Sequence, residues 1–206
     1  MPDLPFDSAL WWLNLAGLSV FAASGALQAA RQRLDLLAAI FFALITATGG
    51  GTLRDVLIGA PIFWMEDSLP IVLCTVVALA VWVVPLRFWS ARTLDWFDAA
   101  GLVAYAVYGA AKALQFGVSP IPAIVAGVIT ACVGGIVRDI TAGVPSVLMR
   151  HELYVTAALA GAIVFVALIN LGFVNPWPSL LGFATGFALR AAAIKWHLAL
   201  PGHRGH

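Results

Sequence analysis

Long apolar segments separated by short polar breaks run along most of this chain. Charged residues, proline and glycine occupy the breaks, as they do at turns. A spanning helix needs about 20 mostly apolar residues, whereas an outer-membrane barrel shows alternating segments of about ten. The pattern therefore predicts an all-α integral membrane protein with seven transmembrane helices. The predicted spans cover residues 8–29, 35–58, 69–86, 98–116, 120–142, 153–173 and 177–198.

The composition supports a membrane protein and excludes other classes. Hydrophobic residues make up 62% of the 206 positions and charged residues 10%, and the mean hydropathy is +0.98. A soluble domain has about 45–50% apolar and about 25% charged residues, and a chain of this size cannot bury the excess. The net charge of +1 offers no field for nucleic acid. The sequence holds no catalytic triad, nucleotide-loop or metal-ligand spacing, so we predict no enzyme, cofactor or metal site.

Basic residues on one side of the predicted spans indicate the orientation. The loops of the other side carry the acids Glu66 and Asp67 and no lysine or arginine. Short loops rich in lysine and arginine stay in the cytoplasm. We therefore expect a plasma (inner) membrane protein with its N-terminus outside and a cytoplasmic tail, residues 199–206. The basic residues of the predicted inner side are Arg31, Arg33, Arg87, Arg92, Arg150, Lys195 and Arg204.

The chain overlays on itself, without a gap, after a shift of 84 residues. Residues 46–51 (TATGGG) meet 130–135 (TACVGG), and the Arg-Asp pair 54–55 meets the pair 138–139. The predicted units are a three-helix repeat at 8–86, a second at 98–173 and an additional helix at 177–198. Because three spans are an odd number, the second repeat is inverted in the membrane. Inverted repeats are typical of transport proteins, with the site between the repeats near the midplane.

The second and fifth predicted spans share the motif Thr-x-x-x-Gly-Gly-x-x-Arg-Asp. Each glycine weakens a helix by roughly 1 kcal/mol relative to alanine, and glycine pairs occur at kinks, so we expect a helix break in each copy. The freed carbonyls and the threonine hydroxyls would suit a partly dehydrated monovalent cation. The alternative is close helix packing, for which small residues are the usual interface; both interpretations can hold together. The candidate ion-path residues are Thr46, Thr48, Gly49, Gly50, Gly51, Thr130, Gly134 and Gly135.

Six charged residues of the predicted spans are candidate intramembrane charges, each of which costs roughly 2.5–3.5 kcal/mol at a helix centre. In one interpretation the acids concentrate cations and the arginines limit anions or divalent ions. In the other, each arginine bonds freed carbonyls or the aspartate of the opposite repeat and fastens the two copies together. We expect Lys112 to extend to the lipid headgroups, with a movable plug as the alternative, and either role suits Arg190. The six residues are Arg54, Asp55, Arg138, Asp139, Lys112 and Arg190.

These features resemble the prokaryotic trimeric intracellular cation (TRIC) channels, whose bacterial members also carry a glycine transporter-like label. The resemblance covers essentially the whole chain. It implies a homotrimer in membrane lipid, with one water-filled pore per subunit and no cofactor. The permeant ions would be K⁺ and Na⁺, and the resemblance is also compatible with bound lipid. It also implies that glycine-kinked helices two and five line the pore through Gly49, Gly50, Gly51, Gly134 and Gly135. Val133 departs from the triple glycine, so the fifth helix is expected to bend less.

Two function classes remain open on the residues alone. The first is a monovalent cation channel, and the alternative is a secondary transporter of a small zwitterion such as glycine, whose carboxylate a helix N-terminus can hold. A non-transporting scaffold would explain the glycines but not the intramembrane Arg-Asp pairs. Six repeat spans leave little protein for two rocking bundles, which favours the channel.

Overall fold

The computed structural model describes residues 8–90, 92–146 and 153–199, and the described chain is built of helices. The expected all-α class is therefore confirmed. Apart from a short 3₁₀ turn at Leu86–Phe88, the elements are α1 Ser8–Arg31, α2 Leu36–Ile58, α3 Phe63–Glu66, α4 Leu69–Val83, α5 Thr93–Gln115, α6 Pro120–Thr141, α7 Val155–Asn170 and α8 Trp177–Trp196.

The helices differ in how well they suit a bilayer. Among the described residues, α1, α2 and α6 are long and apolar enough to cross a membrane, with 24, 23 and 22 residues. Helices α4 and α7 are apolar but shorter, with 15 and 16 residues. Helices α5 and α8 have 23 and 20 residues and carry charged side chains within their length.

Several helices begin or end a few residues away from the bounds of the predicted spans. Helix α5 begins at Thr93 rather than at 98, because hydropathy detects only the apolar part of a helix whose first turn contains Asp95. Helix α4 ends at Val83 instead of 86, two residues before Pro85. Helix α7 spans 155–170 rather than 153–173. Helix α8 ends at Trp196 rather than 198. Residues 200–206 of the predicted tail lie outside the described residues.

The two motif-bearing helices end in the same way. Helix α2 stops at Gly59, which adopts φ 68°, and α6 is followed by Gly143 at φ 66°, both in the left-handed region where glycine is favoured. The N–H of the residue after each glycine donates to the carbonyl of an aspartate, at 2.9 Å from Ala60 to Asp55 and at 3.0 Å from Val144 to Asp139. The local structure therefore follows the 84-residue repeat of the sequence.

Helix α5 is the centre of the bundle and packs against α1, α6, α7 and α8. Its contact with α1 is reciprocal. The Tyr105 ring lies against Gly17, and the Phe21 ring lies against Gly101, with the two rings 5.1 Å apart. Each glycine thus makes room for the aromatic ring of the other helix, and the two rings interlock at the crossing.

Helices α2 and α6 touch through their backbones at the motif glycines. A Cβ added at Gly50 would lie 2.1 Å from the Thr130 carbonyl oxygen, and one added at Gly134 would lie 2.1 Å from the Thr46 carbonyl oxygen. The helix break expected at these glycines was wrong, since α2 is helical throughout 36–58 and α6 throughout 120–141. The glycine backbone is stabilised by close packing against the facing helix, which offsets its low helix propensity.

Helices α7 and α8 also make close backbone contacts at glycines. A Cβ added at Gly182 would lie 2.9 Å from the Gly161 carbonyl oxygen, and one at Gly186 would lie 2.8 Å from that of Ala157. The small residues of α8 therefore bring this helix against α7.

The two neighbouring glycines of α2 provide a matched test of the crossing. Gly50→Ala should lower the free energy of unfolding by about 1–3 kcal/mol, because the added methyl forces the α2 and α6 backbones apart. Gly49→Ala should instead raise the free energy of unfolding, by at most about 1 kcal/mol, because alanine favours the helix and no atom lies within 4 Å of a Cβ placed there. Denaturant titration of both variants in detergent micelles measures the difference. Equal stability of the two variants would contradict the close crossing.

Candidate functional site

The threonines of the motif lie buried at the α2–α6 crossing. Thr46 and Thr130 are 0% and 1% exposed, and their hydroxyls donate to the carbonyls of Phe42 and Ala126, both at 2.6 Å. Thr48 is half-buried and donates to Leu44 in the same way. Each hydroxyl donor is therefore used within its own helix, and only oxygen lone pairs remain to face an ion.

The motif glycines take three different positions. Gly50 and Gly134 form the crossing, whereas Gly49 is next to open space. Gly51 lies under the ring of Phe63, where an added Cβ would come within 2.7 Å of Cε1. Gly135 faces the α6 charges, because an added Cβ would lie 3.2 Å from an oxygen of Asp98. The predicted ion-path residues thus lie on two helices and face different neighbours in this conformation.

The motif charge pair of α2 belongs to a buried network that we call the α2 cluster: Arg54, Asp55, Tyr108 and Lys112. Arg54 donates to Oδ1 of Asp55 from Nε at 2.9 Å and from Nη2 at 2.8 Å. Lys112 Nζ lies 2.9 Å from the same oxygen. The guanidinium also stacks over Tyr108, 5.3 Å from the ring centre. The cluster combines two cations with one carboxylate.

The corresponding pair of α6 forms the α6 cluster: Ser24, Asp98, Arg138 and Asp139. Arg138 donates to Oδ1 of Asp139 from Nε at 2.8 Å and to Oδ1 of Asp98 from Nη1 at 2.9 Å. The same Nη1 donates to the Ser24 hydroxyl. This cluster combines one cation with two carboxylates, the opposite balance to that of the α2 cluster.

Arg190 brings another positive charge from α8 towards the α6 cluster. It is 1% exposed, and its guanidinium lies 5.2 Å from the centre of the Tyr154 ring. The Tyr154 hydroxyl in turn approaches Gly135, 3.0 Å from an added Cβ. A buried arginine is costly unless it has such contacts, so Arg190 links α8 to the second motif.

The two clusters flank the crossing. Gly50 of α2 meets Thr130 of α6, and Gly134 meets Thr46, so the helices run antiparallel. Arg54 and Arg138 each follow their motif glycines by four residues, which is roughly 6 Å along a helix. Each arginine therefore lies beyond the crossing in the opposite direction. The backbone contact has an ion-pair cluster on either side of it.

Two expectations about the charges are wrong. Lys112 does not extend to the headgroups: it is 7% exposed and pairs with Asp55, because a carboxylate within reach stabilises a buried ammonium. Within the described residues, neither motif arginine pairs with an aspartate of the opposite repeat, as one of the two interpretations had it. Each guanidinium folds back onto the aspartate next to it in the chain. The contact between repeats comes instead from Lys112 in one cluster and from Ser24 in the other.

Sequence reasoning missed several partners of these charges. Asp98 is the first residue of a predicted span, and hydropathy alone marks it only as that boundary. The signal was present in the repeat alignment, because Asp98 stands where the first copy has Asn14, and Lys112 where it has Gln28. The aromatic partners Tyr108 and Tyr154 carried no such signal.

Comparison with known sequences finds a family model described as glycine transporter, which matches residues 11–85 and 95–170. The chain is 35% identical to the UPF0126 inner membrane protein YadS of Escherichia coli K12, over 93% of this chain and 95% of that protein. It is also 35% identical to a UPF0126 membrane protein of Vibrio cholerae, over 94% of this chain and 82% of that one.

Comparison with solved structures finds cation channels. The chain matches the TRIC trimeric intracellular cation channel orthologue from Rhodobacter sphaeroides with a TM-score of 0.86 and 40% identity, covering 93% of this chain and all of that one. A second structure, described as the structural basis for conductance through TRIC cation channels, matches with a TM-score of 0.82 and 29% identity, over 95% and 97% of the two chains.

The arrangement of the α2 cluster predicts that removing its different charges lowers the free energy of unfolding by unequal amounts. Asp55→Asn should lower the free energy of unfolding by about 3–5 kcal/mol, because it leaves the buried Arg54 and Lys112 without a counter-charge. Lys112→Met should cost less, since the Arg54–Asp55 pair stays neutral and intact. Unfolding titrations of the two variants in the same detergent provide the comparison. A larger loss for Lys112→Met than for Asp55→Asn would refute this description of the cluster.

Proposed function

Because this chain belongs to the TRIC channel family, we propose that it is a channel for monovalent cations, K⁺ and Na⁺, in the plasma membrane. The observation that carries the proposal is the antiparallel crossing of two helices with one motif, flanked by buried ion-pair clusters. Buried charges at membrane depth mark ion pathways in many membrane proteins. The solved relatives are described as cation channels, which supports this function over an enzyme or a transporter.

The proposed architecture has seven membrane-spanning helices, arranged as two inverted three-helix repeats and an additional helix, α8. Three observations support the repeat. The family model matches twice, at ranges that begin 84 residues apart. The contacts of Gly50 and Gly134 are reciprocal, as are those of Gly17 and Gly101. Both motif helices end at a left-handed glycine. A two-fold relation in the membrane plane accounts for all three.

We assign the ion path to one subunit, along α2 and α6. The candidate lining is the motif segment of both helices. With Gly50 and Gly134 in backbone contact, the described conformation corresponds to a narrow or closed path. In this proposal, opening requires the two helices to move apart at this level. The proposed lining residues are Thr46, Thr48, Gly49, Gly50, Gly51, Thr130, Gly134 and Gly135.

The proposed orientation has the C-terminus in the cytoplasm. Two contacts support it, because they bring the first two basic breaks and the end of α6 together. Arg31 Nη2 donates to the Ser90 carbonyl at 2.8 Å, and Gln32 Nε2 donates to the carbonyl of Ala142. The loop with Arg31 and Arg33 therefore lies beside the loop with Arg87. Such an arginine-rich end stays in the cytoplasm.

Self-association into a homotrimer is part of the proposal. Its support is the description of a solved relative as trimeric. Each subunit would carry its own path, so the trimer would serve to stabilise three parallel channels in the lipid. Chemical crosslinking in membranes, followed by electrophoresis, should give a ladder that ends at three subunits, whereas a ladder ending at two would contradict the trimer.

Purified protein in a planar bilayer under a KCl gradient tests the proposed function. We expect unitary currents that reverse near the K⁺ equilibrium potential, because the path selects cations. A protein-free bilayer is the control for leak. Saturable glycine uptake into liposomes, together with the absence of unitary current, would contradict the channel and support the zwitterion transporter.

A further inference from the structure

The one-turn helix α3 lies over the α2 cluster. It contains four residues, Phe63–Glu66, between the end of α2 and the start of α4. The N–H of Phe63 donates to Oδ2 of Asp55 at 3.1 Å. This is the carboxylate oxygen that Arg54 and Lys112 leave free, since both bind Oδ1. The connecting segment is thus tied to the buried ion pair itself.

A second hydrogen bond, from the next residue of α3, also joins this helix to α2. Trp64 Nε1 donates to the Thr52 hydroxyl at 2.8 Å, one turn before Asp55 along α2. The remaining residues of α3, Met65 and Glu66, are exposed, with 67% of the Met65 surface accessible, and Asp67 after the helix is exposed as well. The described attachment of α3 to α2 therefore rests mainly on two hydrogen bonds and the Phe63 ring.

The Phe63 ring fills the space above the cluster. It packs on Gly51, where an added Cβ would lie 2.7 Å from the ring. The ammonium of Lys112 lies 5.8 Å from the centre of this ring and 5.9 Å from that of Phe116. Lys112 is thereby enclosed by two aromatic rings and the Asp55 carboxylate, and its side chain is only 9% exposed.

We propose that α3 is a strap that opens and closes over the α2 cluster, with Phe63 shielding Lys112 and Asp55 from water. A short element held by few contacts has a low local opening free energy compared with the whole fold. In the closed position, the strap completes the hydrogen bonding of Asp55 and holds Lys112 against it. In the open position, water reaches both side chains. The strap thus sets access to one charged end of the α2–α6 crossing.

The chain provides a native probe of this strap, because Lys112 and Lys195 are its two lysines. Lys195 is exposed on α8 and serves as the internal reference. The detergent-purified full chain is treated with sulfosuccinimidyl acetate, and the acetylation rate of each lysine is measured by peptide mass spectrometry. In the unmodified chain, Lys112 should react much more slowly than Lys195.

Three variants of α3 then test the role of each side chain. Phe63→Ala should raise the Lys112 rate about tenfold relative to Lys195, since it removes the ring and favours the open strap. Trp64→Phe, which loses only the bond to Thr52, should raise it by a smaller factor. Met65→Ala is the matched control and should leave the rate unchanged, because Met65 is exposed on the same turn.

The outcomes separate the strap from a general loss of structure. A rise at Lys112 with an unchanged rate at Lys195 supports the proposal. Equal rates at the two lysines of the unmodified chain would overturn it, as would a Lys112 rate that neither Phe63→Ala nor Trp64→Phe alters. If Phe63→Ala does not fold, Trp64→Phe alone decides. The assay needs no ion current, so its result is independent of the proposed channel function.

Discussion

The contact between the α2 and α6 backbones is the constraint on which the rest of the structure depends. A carbonyl oxygen of each helix occupies the place where a side chain of the other would begin, at Gly50 and at Gly134. In lipid, where the hydrophobic effect does not drive helices together, such close approach supplies the van der Waals contact that holds them. Helices α1 and α5 repeat the principle with Gly17 and Gly101, which receive aromatic rings. Glycines that leave room for a neighbouring helix are therefore the main contact points of the bundle.

Charges that are buried between closely packed helices are costly unless they satisfy one another. The two copies of the motif do this differently. Asp55 accepts from Arg54, from Lys112 and from the N–H of Phe63. Arg138 instead donates to two aspartates, and Arg190 approaches from α8. The duplicated motif has therefore acquired an excess of positive charge on one side of the crossing and an excess of carboxylates in the cluster on the other.

Much of the fold could be predicted from the sequence because its main signals are local. Apolar length predicted the position of each long helix, and left-handed glycines end both motif helices. The unbroken helix at Gly50 could not be predicted, since helix propensity takes no account of the facing helix that stabilises this glycine. The partners of Lys112 and Arg138 depend on how helices that are distant in sequence pack. Asp98 lies at the edge of an apolar segment, where hydropathy does not single it out. The strap at Phe63 left no periodic signal, because one helical turn is too short to produce one.

The central claim is that the motif segment of α2 lines a cation path within the subunit. Gly49→Cys tests it most directly, because no atom lies within 4 Å of a Cβ at this position. In a Cys74→Ala/Cys132→Ala background, a positively charged thiol reagent should reach this cysteine and reduce the K⁺ conductance, while the same treatment leaves the background protein unaffected. Complete modification at position 49, verified by mass spectrometry, with an unchanged unitary current would contradict the claim.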